Sequence, residues 1–432
     1  MRRLLMISPH FPPDSSAGTH RVRLLAPHLE GYGWEPTVLT VAEQDYEGRI
    51  DPELASLVPA SLPVVRSRAL SHRLTRPVGV GDLGLRALPG LRRTAWRLFE
   101  ERAFDAVFIT IYPTYPAVLG PMLKRRFGVP FVLDYQDPWV GAWGRDVGGG
   151  AAGAVDMRSR VTRALAERLE PRVLRAADGV TAVSARTYED ACARTGATPR
   201  AVAEIPIGWD AGDLDALARR GDRVRLIPED GRVNICYTGT LLPLGVATLR
   251  AVLAAARASI DRDPRLADRL RFYFFGTSNQ AAGGEARVLP HARELGVAHL
   301  VHEHPARLDY LDALDVLRQA SALLLIGSSE PHYTASKIFP ALLAQRPLVA
   351  VYHDQSTVID MLSAAAPPPA ARVISFNDAR PVDGVVGGIA DALAGLVSSA
   401  GEPVHINRRA LDPWSARALA GRLASVCDRV AA

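Results

Sequence analysis

Short apolar runs rich in β-branched residues alternate along the chain with longer stretches whose apolar positions recur at helical spacing. In the first half the runs are RLLMIS from Arg3, PTVLTV from Pro36, AVFITI from Ala106, PFVLDY from Pro130, GVTAVS from Gly179 and AEIPIG from Ala203. The second half repeats the rhythm with VNICYTG from Val233, RFYFFG from Arg271, HLVHEHP from His299, ALLLIG from Ala322, PLVAVY from Pro347 and RVISF from Arg372. Continuous apolar strands spaced by amphipathic helices predict βαβ units and parallel sheets, hence an α/β protein with two doubly wound halves. The polar segment Ala211–Asp230 reads as the linker between the halves, and GGGAAGA from Gly148 and AAAPPPA from Ala364 read as loops.

Length supports the division. A chain of 432 residues exceeds the roughly 250–300 residues at which a single core stops growing. With 48% hydrophobic and 22% charged residues the composition is that of a globular protein. Cys192, Cys236 and Cys427 form no CxxC pair and suggest neither a disulfide framework nor a zinc site. The apolar run in MRRLLMISPHF stops at Ser8, too short for a signal sequence, and no stretch approaches the roughly 20 apolar residues of a membrane span. A cytoplasmic protein is the expectation. The net charge of +5 hints at anionic partners. Nine arginines lie between Arg66 and Arg102 against Asp82, Glu100 and Glu101, which is either a solvated face or a patch for the anionic inner surface of a membrane.

In open parallel sheets, ligands bind beyond the carboxyl ends of the strands. The first such loop, SPHFPPDSSAGTHRVRLLAPHL, places a small-residue turn ending at Gly18 before a helix, where backbone N–H groups can meet an anion. It is not GxGxxG, and the chain holds no GxxxxGK[ST] loop, so dinucleotide and P-loop readings lose their usual support. The chain has two lysines, Lys124 beside two arginines and Lys337 between a small polar pair and an apolar run. Lys124 suits a solvated helix face. Lys337 suits a point charge meeting one anion. His302 and His304 in HEHPAR are spaced like a metal edge, but no third ligand is apparent and no metal is expected.

The opening loop, FDAVFITIYPTYPAVLG, VPFVLDYQDPW, ADGVTAVS, IPIGWD, YTGTL and SKIFPALLAQRPLVA occur in an order that resembles family 4 glycosyltransferases of the GT-B fold. The resemblance implies two Rossmann-like domains facing across a cleft: residues 1–212 on the acceptor side, 228–405 holding the donor nucleotide, and 406–432 as a C-terminal helix crossing back to the first domain. It implies a nucleoside diphosphate sugar as co-substrate, UDP or GDP type, and transfer with retention to a glycan, lipid-linked or natural-product acceptor, without a metal. Nucleic acid is not among the implied partners.

Carried over to this chain, the resemblance implies Gly18, Gly239, Thr240, Gly276, His304, Arg307, Glu330, Ser336 and Lys337 as donor contacts. His10, Asp14, His20, Arg21 and Trp139 fall on the acceptor side, and Asp137 and Lys337 are the catalytic candidates, with Asp134 supporting the loop. Asp137 equally suits a turn before Pro138. Trp209 and Asp210 fall at the turn between domains. Two departures stand out. Pro340 replaces the glutamate that holds the donor ribose and Gln345 replaces a glycine, while His332 falls where an acidic residue is expected and Glu330 stands near enough to substitute. The loop GTLLPLG lacks the expected arginine and lysine. Non-catalytic nucleotide-sugar binding, a sugar-nucleotide epimerase and a membrane-associated assembly protein therefore stay open beside transfer.

Overall fold

A computed structural model of the chain describes residues 1–140, 157–221, 225–278, 284–329 and 336–432. The passage from Gly148 falls outside these. Two compact units form, Met1–Asp210 with Trp414–Ala432, and Ala211–Pro413.

The first unit is built on seven strands: β1 (Arg2–Ile7), β2 (Trp34–Val41), β3 (Val64–Ser67), β4 (Ala106–Thr110), β5 (Phe131–Tyr135), β6 (Gly179–Ala182) and β7 (Ala201–Glu204). They pair in parallel in the order β3-β2-β1-β4-β5-β6-β7. Alternation along the strands divides the core. Leu5, Ile7, Val107, Ile109 and Leu133 pack with Ala87, Leu91 and Leu98 of helix Leu83–Glu101. Leu4, Met6, Phe108 and Val132 pack instead with Val22 and Leu25 of helix Thr19–Leu25 and with Leu419, Leu423 and Val426 of helix Ala416–Ala431. Burial on both faces is why these strands read as unbroken apolar runs. The last helix starts at Ser415, whose side chain accepts from the Ala418 amide and satisfies a donor the helix cannot. Its neighbour in space is β6, where the Cα of Gly179 leaves room for Val426 and Val430.

Two elements differ from the sequence expectation. β3 is a four-residue edge strand after Pro63, too short and too exposed to show a period. The run from Ala203 begins earlier, at Ala201, and ends at Glu204. Pro206 cannot donate to a ladder, and the carbonyl oxygens of Ile205 and Pro206 turn instead to the Arg21 guanidinium, at 2.6 and 3.4 Å.

The second unit repeats the plan with six parallel strands: β8 (Val233–Thr238), β9 (Leu270–Phe275), β10 (Val301–His304), β11 (Ala322–Ile326), β12 (Leu348–His353) and β13 (Ala371–Phe376). Their order is β10-β9-β8-β11-β12-β13, so β1 and β8 hold corresponding places beside the switch point of their sheets. Helices Val246–Arg262 and Val386–Ser399 cover one face through Leu249, Val252, Leu253, Ile389 and Leu393. The stretches Pro243–Arg262 and Val382–Ser399 have the length and mean hydropathy, 1.3, of membrane spans, contrary to the expectation that nothing approached one. Their apolar side chains are spent on this core. The supposed linker also carries structure: helix Ala211–Arg219 belongs to this unit, and the Tyr310 hydroxyl donates to buried Asp213 at 2.7 Å. Gln345 sits at φ 55°, the left-handed backbone that the resemblance expects glycine to fill.

Candidate functional site

In the first unit the chain leaves β1 through a loop held by its own polar groups. The Ser8 hydroxyl donates to the His10 carbonyl at 2.8 Å, and the Tyr46 hydroxyl donates to the Pro9 carbonyl at 3.0 Å. His10 Nδ1 lies 2.5 Å from the Asp14 carboxylate. Asp14 is buried and accepts also from Ser16 and from Thr19 Oγ1, the latter at 3.3 Å. Burial pushes its carboxyl up, but the bonds from His10 and Ser16 outweigh this and hold it below the ordinary carboxylate value. Gly18 has a packing reason. A Cβ there would stand 2.4 Å from the Tyr112 ring, so the face expected to meet an anion is taken by an aromatic side chain. His20 is half-buried, its Nδ1 3.3 Å from Arg23.

Two residues assigned to the acceptor side lie in the core instead. Arg21 is 1% exposed, with its Nε 2.9 Å from the fully buried Asp134. Burial lowers the Arg21 pKa and raises that of Asp134, each opposed by the other's charge, and Thr181 donates to Asp134 at 2.7 Å. This pair ties helix Thr19–Leu25 to β5, a structural task. Trp139 is 1% exposed and packs among Tyr135, Val140 and Ala166. Asp137 is exposed beside it, has no hydrogen-bond partner among the described residues, and desolvation by the protein on its other side lifts its carboxyl above the ordinary value.

In the second unit, three loops at carboxyl ends of strands bring Gly239, Thr240, Gly276 and Lys337 together. Gly239 follows β8 at φ 117°, its amide donating to the Phe275 carbonyl at 2.8 Å. Gly276 follows β9 at φ 71°, with its amide on the His304 carbonyl at 2.8 Å and its Cα side facing Gly239 and the Arg307 backbone. Lys337 caps the short helix Ile338–Leu343 and sends its Nζ to the Tyr237 hydroxyl at 2.8 Å and the Thr240 carbonyl at 3.1 Å. The ammonium also stands 4.8 Å from the Tyr237 ring centroid, a cation–π distance. Burial pushes the Tyr237 phenol far up, keeping it a neutral donor to Thr240 at 3.2 Å. A Cβ at Gly239 would meet Lys337 Cε at 2.3 Å. The glycine is therefore what lets the lysine cross this loop.

The neighbouring residues divide. His302 stacks on Tyr273 at 4.9 Å and His304 tilts over Phe275 at 6.2 Å, cross-strand pairs at an exposed edge. Ser336 is exposed and its carbonyl accepts from Phe339 at 3.4 Å. Glu330 and His332 lie outside the described residues. Pro340 lies inside helix Ile338–Leu343, where it supplies neither a donor nor a carboxylate. Sequence reasoning passed over Glu303, which accepts the amides of Arg287, Val288 and Leu289 and the Thr277 hydroxyl, and so occupies the start of helix Leu289–Glu294 with a side chain of its own. It also passed over Tyr237, although YTG was in view. Among the described residues, no group of three His, Cys, Asp or Glu side chains is placed to hold a metal.

The lysine and arginine expectations change too. Lys124 is no solvated bystander: its Nζ reaches Asp178 at 2.9 Å and the Ala176 carbonyl at 3.0 Å. Within Arg66–Arg102, Arg66, Arg68, Arg76, Arg86, Arg97 and Arg102 pair with Glu43, Asp45, Glu47, Glu101 or Glu35. Most of the charge that suggested a membrane patch is thereby met inside the protein.

Comparison with known proteins follows this geometry. Residues 17–208 match the family model described as glycosyl transferase 4-like domain. Sucrose-phosphate synthase from Thermosynechococcus elongatus has a similar fold, with a TM-score of 0.55 at 16% identity over 100% of this chain and 96% of that one. HepE of Anabaena, solved in complex with UDP and glucose, gives 0.53 at 14% identity over 98% and 95%. A glycosyltransferase from Rickettsia africae gives 0.53 at 12% identity over 99% and 98%. No curated protein matches by sequence. The family match is confined to residues 17–208, and the whole chain has the two Rossmann-like units of the GT-B fold. That combination supports a glycosyltransferase.

Proposed function

We propose that the protein transfers a sugar from a nucleoside diphosphate donor to a glycan, lipid-linked or natural-product acceptor, with retention and without a metal. The observation that carries this reading is Lys337, held over a glycine loop by Tyr237 and Thr240 at the carboxyl ends of β8 and β9. A diphosphate at this loop would give the lysine an anionic partner, a charge-assisted contact worth about 1.5–3 kcal/mol. The same charge would stabilise the diphosphate as it departs. Asp137, exposed after β5, is the candidate to orient an acceptor hydroxyl by a hydrogen bond. Free cysteines, two of them buried, support a reducing cytoplasmic location.

A second reading, donor binding without turnover, draws on Pro340 in the helix where the resemblance expects a ribose-binding carboxylate. Calorimetric titration with UDP, GDP and dTDP, followed by product analysis with the matching sugar nucleotides, separates the two. Base-selective binding weakened about 10–100-fold in Lys337→Ala, with a glycoside of unchanged anomeric configuration by NMR, is the expected result. Binding without any product selects the second reading. Affinity unchanged in the variant removes the lysine's role.

A further inference from the structure

The loop after β8 has no charged side chain of its own between Gly239 and Gly245, yet cations from two other segments reach it. We propose that Arg287, from the segment after β9, is a second cation for the donor diphosphate and takes the part of the basic side chain this loop lacks. The proposal rests on the glycosyltransferase reading and deepens it.

Strand order puts β8 between β9 and β11. Past the end of β8 the Gly239 and Leu241 amides still donate to the Phe275 and Thr277 carbonyls, at 2.8 and 3.0 Å, so the loop keeps running beside the chain that leaves β9. Arg287 Nη1 donates to the Leu241 carbonyl at 3.0 Å. The carbonyl one residue earlier, that of Thr240, takes Lys337 Nζ at 3.1 Å, and Lys337 belongs to the segment after β11. A guanidinium and an ammonium thus hold consecutive carbonyls of one loop, each delivered by the strand on a different side of β8. A diphosphate lying along the loop has a cation for each of its phosphates.

The backbone of Arg287 is fixed where this requires. Glu303 of β10 accepts the amides of Arg287, Val288 and Leu289 at 2.8, 3.1 and 2.9 Å, and the Thr277 hydroxyl as well. One carboxylate therefore ties the arginine to the residue whose carbonyl receives the Leu241 amide. Its oxygens are engaged by those donors, and among the described residues it makes no ion pair with the Arg287 guanidinium. That side chain is exposed, and its bond to Leu241 is its only hydrogen bond among the described residues, so Nε and Nη2 stay open. Arg68 and Arg86 of the first unit, by contrast, are met by carboxylates. Holding one neutral carbonyl does not call for a charge. A planar guanidinium with donors to spare matches the oxygens of a phosphate.

The test titrates the full chain by calorimetry with UDP, GDP and dTDP and with the matching nucleosides, comparing wild type, Arg287→Gln and Arg287→Lys. Arg287→Gln is expected to weaken the bound diphosphate about 10–100-fold and to leave the affinity for its nucleoside unchanged. Arg287→Lys should recover part of the loss, because it restores the charge without the fork. Raising the salt concentration should weaken diphosphate binding less steeply in Arg287→Gln than in wild type, since one charge fewer is screened. Thermal melting checks that the variants fold; should the glutamine variant not fold, Arg287→Lys carries the same comparison with a smaller loss. Equal weakening of nucleoside and diphosphate would make Arg287 a strut for the loop and overturn the proposal. So would a diphosphate affinity equal to wild type, and either result leaves Lys337 and the transferase reading standing. A wild type that binds none of the three diphosphates overturns both.

Discussion

The loops after β1 and β8 occupy the same position in two sheets of the same strand order, yet they are stocked differently. The first is crowded with groups that satisfy one another: His10, Asp14, Ser16 and Thr19 form a closed set around one buried carboxylate. The second is glycine, threonine and leucine, with its charge imported from the far side of β11 by Lys337. A loop that carries its own carboxylate holds its histidine in place. A loop with glycine at its turn and a movable cation above it suits an incoming anion. One topological rule thus yields two sites of opposite character, and which one forms depends on side chains delivered from outside each loop.

The sharpest way to break the contrast is to fill the second loop. Gly239→Ala combines φ 117° with a Cβ 2.3 Å from Lys337 Cε. Such backbone strain costs up to about 3 kcal/mol, and thermal melting should show it together with weaker nucleotide binding, because the ammonium must move. Gly18→Ala attacks the first loop through packing alone, since its backbone is ordinary and its Cβ would strike the Tyr112 ring at 2.4 Å. Overpacking of about 2 kcal/mol is expected, with nucleotide affinity intact. Equal loss of UDP binding in both variants would erase the distinction.

Acid should separate the loops more gently. Asp14 has a folded pKa below its ordinary value, so its contribution is present above the unfolded carboxylate pKa of about 3.9 and is lost as pH falls through the folded value. The stability gap between wild type and Asp14→Asn should therefore shrink as the pH is lowered below about 4. Lys337→Ala is the comparison from the second loop, where the ammonium meets the Tyr237 hydroxyl, the Thr240 carbonyl and the Tyr237 ring. Chemical denaturation at pH 7 and pH 3 reads both.

The candidate site was partly legible. Gly239, Thr240, Gly276 and Lys337 follow strands whose apolar runs were plain, and the structure assembles them. Arg21 and Trp139 look the same on paper as functional residues do, being large side chains in loops or at helix starts after strands. Nothing local says that Asp134 waits inside the sheet for Arg21. Lys124 misled for the same reason, since Asp178 lies 54 residues further along the chain. Gln345 is the reverse case: its left-handed φ was foreshadowed by glycine at that place in the resemblance, but the glutamine accepts it, with its carbonyl taking the Val404 amide at 3.1 Å.

From the sequence alone came the alternation of apolar strands and amphipathic helices, the two α/β halves and the loops where ligands meet such sheets. These follow from periodicity, which is a property of neighbouring residues. Tertiary structure alone decided that Trp414–Ala432 completes the first unit, that six arginines of the basic stretch are paired, and that Lys337 reaches Tyr237 across 100 residues. Those outcomes depend on strand order and crossovers, which set the side chains a loop meets and which no local pattern encodes.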